Sequence, residues 1–377
     1  MAVYPGFCGG TAKVQSPNVN AERTLNWMPF QAPGLPKANP WLAATPCVTP
    51  WVVLNNGPVR ALFAQDGRMF AVSGTSFYEV FATHTATLRG TAALDGRPAT
   101  ISSNGTNGNQ LFVTSGGNGY IYNLTTNVIT LITDPDFPQG EVEMGWFSDG
   151  YFGVLLRGTN EFRISALFDG TDWDPLDVFQ TSTTSDLTVA QLVSHRELYT
   201  LGSEWTAVWQ DTGDDPVYQP IGGVSIEMGC AAAYSAVNLD NTVYFLGQNP
   251  QGARMVYRFN GYSPVRVSND AIEFLLSQYP RVNDAIAWTY QEAGHTFYCL
   301  YLPAKPQGAG VWHTTLVYDV ATGQWHERAL WDPVEIEWVP HVGRCHCYAF
   351  NRHFIGARNS AAIYEYSMNL TLDTLVT

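Results

Sequence analysis

Four residues near the C-terminus have side chains of the types that bind zinc. His341, Cys345, Cys347 and His353 carry suitable nitrogen and sulfur atoms. A C-x-C pair with distant histidines does not have the spacing of a zinc finger, however, and free cysteine is among the residue types most often buried. We therefore interpret these residues as core residues and predict no metal site.

A run of acidic residues spans 169–177, with the sequence DGTDWDPLD. Its carboxylates could bind a cation, but they do not alternate as the ligands of an EF-hand loop do. The run is similar to the Asp-box turn of sialidase propellers, in which an Asp accepts backbone amide protons and a Trp packs beneath it. We predict a structural turn here.

Catalytic groupings are not evident in the sequence. His295, His313 and His326 have no Ser or Cys at a spacing that would assemble a nucleophilic triad. Neither a GxxxxGK[ST] loop nor a GxGxxG fingerprint occurs, so no nucleotide-binding loop is indicated. We predict no catalytic residue, no cofactor and no enzymatic activity.

The composition excludes several classes of protein. The net charge is −14, only 14% of residues are charged and 13% are aromatic. Such a chain is too aromatic to be disordered and too poor in charge for a coiled coil, and its acidity argues against a protein that grips nucleic acid. Three lysines stand against 16 arginines, whose planar side chains suit interfaces and backbone carbonyls. We expect a surface largely covered by other proteins; an ordinary β protein with aromatic strands is the alternative.

The chain shows no membrane or export signal. No apolar stretch approaches the length of a spanning helix, and no basic region followed by an apolar run opens the chain. Six cysteines over 377 residues are too few for a disulfide scaffold. We expect folding in a reducing cytoplasm.

A repeated pattern of short strands begins at residue 57. Two adjacent hydrophobic residues recur at intervals of 42, 40, 47, 45, 54 and 57 residues, and a second strand, usually with an aromatic residue, follows each pair. The pairs are Met69-Phe70, Leu111-Phe112, Tyr151-Phe152, Leu198-Tyr199, Val243-Tyr244, Phe297-Tyr298 and Phe354-Ile355. Small sheets repeated at 40–57 residues indicate an all-β fold, a β-propeller. Seven blades fit best, and six or eight remain open.

The rest of the chain divides around this propeller. Residues 1–56 contain eight prolines, which exclude a helix or a central strand, and they are predicted to form an extended Pro-rich N-terminal arm with one short strand near 25–30. Residues 57–369 form the propeller and 370–377 a C-terminal tail. One helix is predicted between blades, capped by Ser268-Asn269-Asp270 and ended by Pro280.

Several stretches of this sequence resemble one family. They include SPNVNAERTLNWMP at 16–29, the acidic run at 169–177, VSHREL at 193–198, GCAAAYS at 229–235, DAIAWTYQEAGHTFY at 284–298 and YDVATGQWHER at 318–328. Over residues 14–366 the chain resembles the packaged-DNA stabilisation proteins, also called tail hub or tail accessory proteins, of P22-like short-tailed bacteriophages. Members commonly continue into a further β-rich segment, whereas this chain stops at Thr377, so we expect those contacts to be missing or supplied by another protein.

The resemblance implies a structural protein of the virion tail. Such a protein would form a ring, expected to be a homo-oligomeric hexamer, below the head-to-tail adaptor or portal. It would help to retain packaged DNA, form part of the exit channel used in DNA ejection, and attach a tail needle or plug and tailspikes or tail fibres. DNA would pass without specific binding, because an acidic lining repels it.

Four residues of the arm are the predicted interface anchors. Trp27, Trp41 and Trp51, together with Arg23, would contact a neighbour or the adaptor, because buried aromatic and arginine side chains dominate interface energetics. The alternative function is a propeller that binds or cleaves glycans. That alternative predicts two carboxylates on the central funnel and a groove of exposed tryptophans.

Overall fold

Seven antiparallel sheets form a closed ring of blades in the computed structural model, which describes residues 9–13, 22–30, 41–181, 186–248, 251–308 and 311–376. The first strand of each blade contacts the first strand of a neighbouring blade, so these strands surround the central axis. The fold is therefore a seven-bladed β-propeller, as the repeat predicts.

The first three blades have four strands each, paired in chain order. Blade 1 comprises β4 (Val59–Gln65), β5 (Arg68–Ser73), β6 (Ser76–Val80) and β7 (Ala86–Thr91). Blade 2 comprises β8 (Thr100–Ser103), β9 (Gln110–Ser115), β10 (Asn118–Asn123) and β11 (Val128–Leu131), with the short helix α1 (Gly105–Gly108) after β8. Blade 3 comprises β12 (Val142–Ser148), β13 (Tyr151–Leu156), β14 (Glu161–Ala166) and β15 (Asp169–Gln180).

Blade 4 keeps the four-strand scheme, whereas blades 5 and 6 depart from it in the number of strands. Blade 4 comprises β16 (Thr188–Ser194), β17 (Glu197–Gly202), β18 (Thr206–Asp211) and β19 (Tyr218–Pro220). Blade 5 has a divided inner strand and comprises β20 (Gly229–Cys230), β21 (Val237–Leu239), β22 (Thr242–Gln248), β23 (Arg254–Asn260) and β24 (Ser263–Arg266). Blade 6 gains an outer strand and comprises β25 (Ile286–Glu292), β26 (His295–Tyr301), β27 (Thr315–Asp319), β28 (Gln324–Asp332) and β29 (Glu337–Pro340).

Chain segments from both ends build blade 7. Its inner strands are β30 (Gly343–Ala349), β31 (Arg352–Ala357) and β32 (Ala362–Ser367), and its outer strand is β3 (Cys47–Val53). The residues of β3 were predicted to belong to the arm at 1–56. The structure corrects this boundary, because the propeller begins at the start of β3. Pro50 fits there because β3 is an edge strand, and the pairing shifts register between Pro50 and Val52.

The repeated hydrophobic pairs all lie on the second strand of a blade, and their adjacency has a packing reason. Successive side chains of a strand point to opposite faces. Met69 therefore packs into the core between blades 7 and 1, while Phe70 packs into the core between blades 1 and 2. Each pair can supply both neighbouring cores, and the described residues contain seven such cores, one for each space between blades.

The predicted helix is confirmed as α2 (Asp270–Ser277) between blades 5 and 6. Asn269 is its N-cap, and the Asn269 side chain accepts a hydrogen bond from the Ile272 amide at 3.0 Å. Ile272 and Leu276 are buried in the core between these two blades. Among the described residues no helix is long and apolar enough to cross a membrane.

The N-terminal segment has a small sheet of its own, formed by β1 (Trp27–Phe30) and β2 (Trp41–Ala44). The strand predicted near 25–30 thus exists as β1. The described residues before it run beside the outer part of blade 6, where the Thr11 amide donates to the Trp325 carbonyl at 2.7 Å. Five prolines assigned to the arm lie outside the described residues: Pro5, Pro17, Pro33, Pro36 and Pro40.

Candidate functional site

Arg23 fastens the N-terminal segment to blade 6 of its own chain. Its guanidinium forms a bidentate ion pair with Glu327 of β28, a residue with no solvent exposure. Thr11 and Thr314 also donate to this carboxylate, at 3.2 and 2.8 Å. The Arg23 side chain is thus committed within the chain, which corrects its prediction as an interface anchor. Its role is to hold in place the segment that carries β1.

Trp51 is a core residue, which corrects the second of the interface predictions. Only 7% of its surface is exposed. The ring stacks on His84 with a centroid separation of 3.6 Å and meets Phe354 edge to face at 5.0 Å, while its indole nitrogen donates to the Phe81 carbonyl at 3.3 Å. Because Trp51 lies on β3, it closes the ring between blades 7 and 1.

Trp27 and Trp41 remain exposed at the surface of the small N-terminal sheet. They expose 50% and 45% of their area, although Trp41 stacks on Phe30 at 5.4 Å. Met28, the neighbour of Trp27 on β1, is buried in the core between blades 6 and 7, so it anchors the small N-terminal sheet to the propeller. Two of the four predicted anchors are therefore placed where a partner could contact them.

The outer edge of blade 6 presents a second group of apolar side chains, four exposed and one half-buried, that was not predicted from the sequence. Trp331 and Trp338 are directly opposite each other on β28 and β29, with rings 5.2 Å apart, and Trp312 lies 6.0 Å from Trp338. Val334 and Ile336, in the turn between the strands, are 83% and 74% exposed. We call these five residues the blade 6 aromatic surface.

Two observations connect this surface with function and with the N-terminal segment. Ile336 has a φ of +52°, a conformation that β-branched residues rarely adopt. An exposed isoleucine in this conformation is unfavourable for the isolated chain. The Arg23 guanidinium also lies 4.0 Å from the centre of the Trp312 ring, so the segment and the surface are joined. The widened repeat spacing after residue 297 was the available sequence signal.

The acidic run at 169–177 belongs to β15, the outer strand of blade 3, so the turn predicted here is corrected to an irregular edge strand whose pairing with β14 shifts register twice. The Asp169 carboxylate accepts from the Thr171 amide at 3.0 Å and from its hydroxyl at 2.7 Å. Trp173 is buried, and its indole nitrogen donates to the Gly170 carbonyl at 2.9 Å. These bonds hold the start of β15 in place at the edge of blade 3.

The cysteine and histidine residues of blade 7 are packed inside the protein. Burial raises the pKa of the Cys345 thiol to about 12 and raises that of Cys347 further. His346 and His353 hydrogen bond to each other at 3.0 Å, and burial lowers both of their pKa values. Within the described ranges no three His, Cys, Asp or Glu side chains are grouped as metal ligands.

His295 has a partner that spacing did not reveal. Its Nδ1 lies 2.7 Å from Oδ2 of Asp319, a fully buried residue on the neighbouring strand β27. Asp319 also accepts from the Thr322 hydroxyl at 2.7 Å and the Ala321 amide at 3.0 Å. In the part of the chain that the structure describes, no Ser or Cys hydrogen bonds to His295, so the pair fixes the turn after β27.

Comparison with solved structures shows the same fold in proteins of distant sequence. The extracellular domain of the hybrid two component system BT4673 from B. thetaiotaomicron has a TM-score of 0.54 and 7% identity, with 85% of this chain and 40% of that chain aligned. Streptogramin B lyase has a TM-score of 0.51 and 8% identity, with 86% and 98% aligned. The chain thus spans about two fifths of the length of the first of these proteins. No curated protein sequence matches it.

Residues 25–371 match the family described as bacteriophage P22 Gp10, beta-propeller. The match covers nearly the whole chain, including all seven blades and the N-terminal sheet. The chain belongs to this family and is a structural protein of the phage tail.

Proposed function

We propose that this family member is a tail hub subunit that assembles with copies of itself into a ring below the head-to-tail adaptor. The observation that carries this proposal is the blade 6 aromatic surface. Three tryptophans and two aliphatic side chains lie together in contact with water at the outer edge of blade 6. Clusters of this kind on soluble proteins mark interaction sites.

A second copy of the chain is the partner that we assign to this surface. The exposed leucine and valine side chains of β7 and β11, on blades 1 and 2, offer a different apolar patch on the same molecule: Leu88, Val128 and Leu131. Contacts between two unlike surfaces generate rings when the rotation closes. Blades 6 and 1 are two positions apart in the propeller, so they are separated by about 100° around its axis, and blades 6 and 2 are three positions apart and separated by a wider angle. These two separations lie on either side of the roughly 120° between the two interfaces of a subunit in a hexameric ring.

The charge of the chain suits a hub through which DNA slides. With a net charge of −14, copies arranged in a ring would repel a duplex in the lumen. Retention of packaged DNA would then come from closing the exit with a needle or plug rather than from gripping phosphates. Attachment of that plug, and of spikes or fibres, is part of the same proposal.

The glycan-cleaving alternative needs carboxylates that are free to act at the central funnel. Glu143, at the start of the inner strand of blade 3, is paired with both Arg97 and Arg157, and Arg157 also bonds Asp95 at 2.8 Å. A carboxylate between two guanidiniums cannot easily serve as a general acid. Asp284, the other carboxylate near this end of the axis, is ion-paired with Arg281, so we infer a protein without catalytic activity.

The proposal is tested by Ile336→Asn, a change that separates stability from assembly. Asn tolerates a positive φ, so the variant monomer should be more stable by about 1 kcal/mol, while loss of the apolar contact should weaken ring formation at least tenfold. Analytical ultracentrifugation and negative-stain microscopy, with and without the adaptor, measure assembly, and chemical denaturation measures stability.

Leu176→Asn is the matched control, because Leu176 is 86% exposed on blade 3, outside both proposed contact surfaces. It should leave ring formation unchanged. Normal rings from Ile336→Asn would refute the role of blade 6. A wild-type protein that stays monomeric at all concentrations, even with the adaptor, would refute self-assembly.

A further inference from the structure

A cavity of about 680 Å³ opens at one mouth of the central axis. Residues from blades 2 to 7 line it, mostly at the points where the inner strands begin. Ligand sites in proteins typically have volumes of roughly 300–1,000 Å³ with a few convergent polar groups. The cavity has this size, and two of its polar groups lack partners.

Arg344 of β30 is the first of these groups. It is 93% buried and donates from one terminal nitrogen to the Gly96 carbonyl at 3.0 Å, but its Nε has no hydrogen-bond partner. No carboxylate of the described residues lies within ion-pair distance of it, and burial lowers the pKa of its guanidinium below the usual value. A buried guanidinium without an anion is costly, since its charge has lost water and gained little in return.

Asp284 is the second group and comes from the neighbouring blade, just before β25. Its Oδ2 accepts from Arg281 Nε at 2.8 Å, whereas its Oδ1 is buried without a partner. The cavity therefore presents a cationic donor, Arg344 Nε, and a carboxylate oxygen, Asp284 Oδ1, that both lack a hydrogen-bond partner. The other cations on its wall have anionic partners: Arg97 and Arg157 share Glu143, Arg157 also pairs with Asp95, and Arg281 pairs with Asp284.

We propose that this cavity binds a phosphate group that carries one proton, either inorganic phosphate or a phosphate monoester. The negatively charged oxygens would accept from Arg344, as guanidinium and phosphate groups do in many sites. The remaining P–OH would donate to Asp284 Oδ1. Sulfate has the same shape but no proton to donate at neutral pH, so it would leave the Asp284 oxygen facing an oxyanion. This site goes beyond the hub function and does not depend on ring formation.

The experiment measures binding of inorganic phosphate and of sulfate to the full-length protein by isothermal titration calorimetry at matched ionic strength. Phosphate should bind at least tenfold more tightly than sulfate. Arg344→Gln should weaken phosphate binding by roughly 10- to 100-fold, the usual effect of losing a hydrogen bond to a charged group. Asp284→Asn should abolish the preference for phosphate, because the Asn amide can donate to either anion. Arg352→Gln, an exposed residue of the same blade paired with Glu365, is the control and should change neither affinity.

The outcomes separate the proposal from weaker explanations. Absence of phosphate binding to the wild type, equal binding of the two anions, or full phosphate binding by Arg344→Gln would overturn it. If Arg344→Gln does not fold, Asp284→Asn alone still tests the selectivity. Titration with deoxyadenosine monophosphate distinguishes the sources: tighter binding than inorganic phosphate assigns the rest of the cavity to a nucleoside, and weaker binding assigns the site to the free ion.

Discussion

Replacing Arg23 by Ala should release the N-terminal segment from blade 6 without unfolding the propeller. The substitution leaves Glu327, which has no solvent exposure, without its counter-ion. Removing one partner of a buried pair costs about 3–5 kcal/mol, and the lost contact with the Trp312 ring adds about 0.5–1 kcal/mol. Two threonine hydroxyls still donate to Glu327, so we expect a cost at the lower end of the range for a buried pair, about 3 kcal/mol. That free energy corresponds to a roughly hundredfold rise in the opening of the segment.

Amide hydrogen exchange measures this opening at three reporters. The amides of Thr11, Asn26 and Glu327 donate to Trp325, Glu327 and Thr24 carbonyls across the contact. Their exchange should accelerate about a hundredfold, while amides within the blade cores keep their protection.

Arg266→Ala is the matched control for the Arg23 variant. Arg266 pairs with Asp270 and Glu273 at an exposed site, where an ion pair contributes at most about 1 kcal/mol. Unchanged exchange in Arg23→Ala would refute our account of the Glu327 pair. Accelerated exchange throughout the protein would show that the segment and the propeller open together.

Three further predictions concern the interior. Trp51→Ala should lower the free energy of unfolding in denaturant by about 3–5 kcal/mol, whereas a loss of assembly at unchanged stability would restore its interface role. Burial lowers the pKa of His326 to about 3. Because the unfolded chain protonates this histidine near pH 6.5, the free energy of unfolding should fall from pH 6.5 towards pH 3, by up to about 1.4 kcal/mol per pH unit. The His326→Phe variant should lose less stability over this range, and a loss equal to that of the wild type would contradict the lowered pKa of His326. The buried Cys347 thiol should react with iodoacetamide only as fast as blade 7 opens, so rapid labelling of Cys347 in the native protein would disprove its burial.

The blade count could be predicted from sequence because its signal is local. Each hydrophobic pair, such as Met69-Phe70, lies on one strand and supplies two cores, so its recurrence counts the blades. The closure of the ring has no local signal. Strand β3 pairs with β32, more than 300 residues later, and the prolines around β3 suggested an arm instead.

The interface residues could be predicted only in part, since exposure depends on distant strands. Trp27, Trp41 and Trp51 look alike in a proline-rich sequence, yet only Trp51 meets blade 1. The pairing of Trp331 with Trp338 could not be predicted from the sequence, because it depends on β29, a fifth, outer strand that most blades lack. The widened spacing marks such additions but does not show whether an added strand is buried or exposed.

The excess of arginine over lysine was expected to reflect a surface covered by other proteins. It has a different cause, because several arginines form hydrogen bonds that join the blades. Arg60 of blade 1 donates from Nε to the Gly74 carbonyl of its own blade at 3.0 Å and from a terminal nitrogen to the Ser115 hydroxyl of blade 2 at 2.6 Å. Arg328 of blade 6 likewise bonds the Tyr366 hydroxyl of blade 7 at 2.7 Å. A lysine has one ammonium centre and could not span two such acceptors. Arginines that join blades are therefore required whether or not the surface is covered by other proteins. The support for a covered surface comes instead from the tryptophans of the blade 6 aromatic surface.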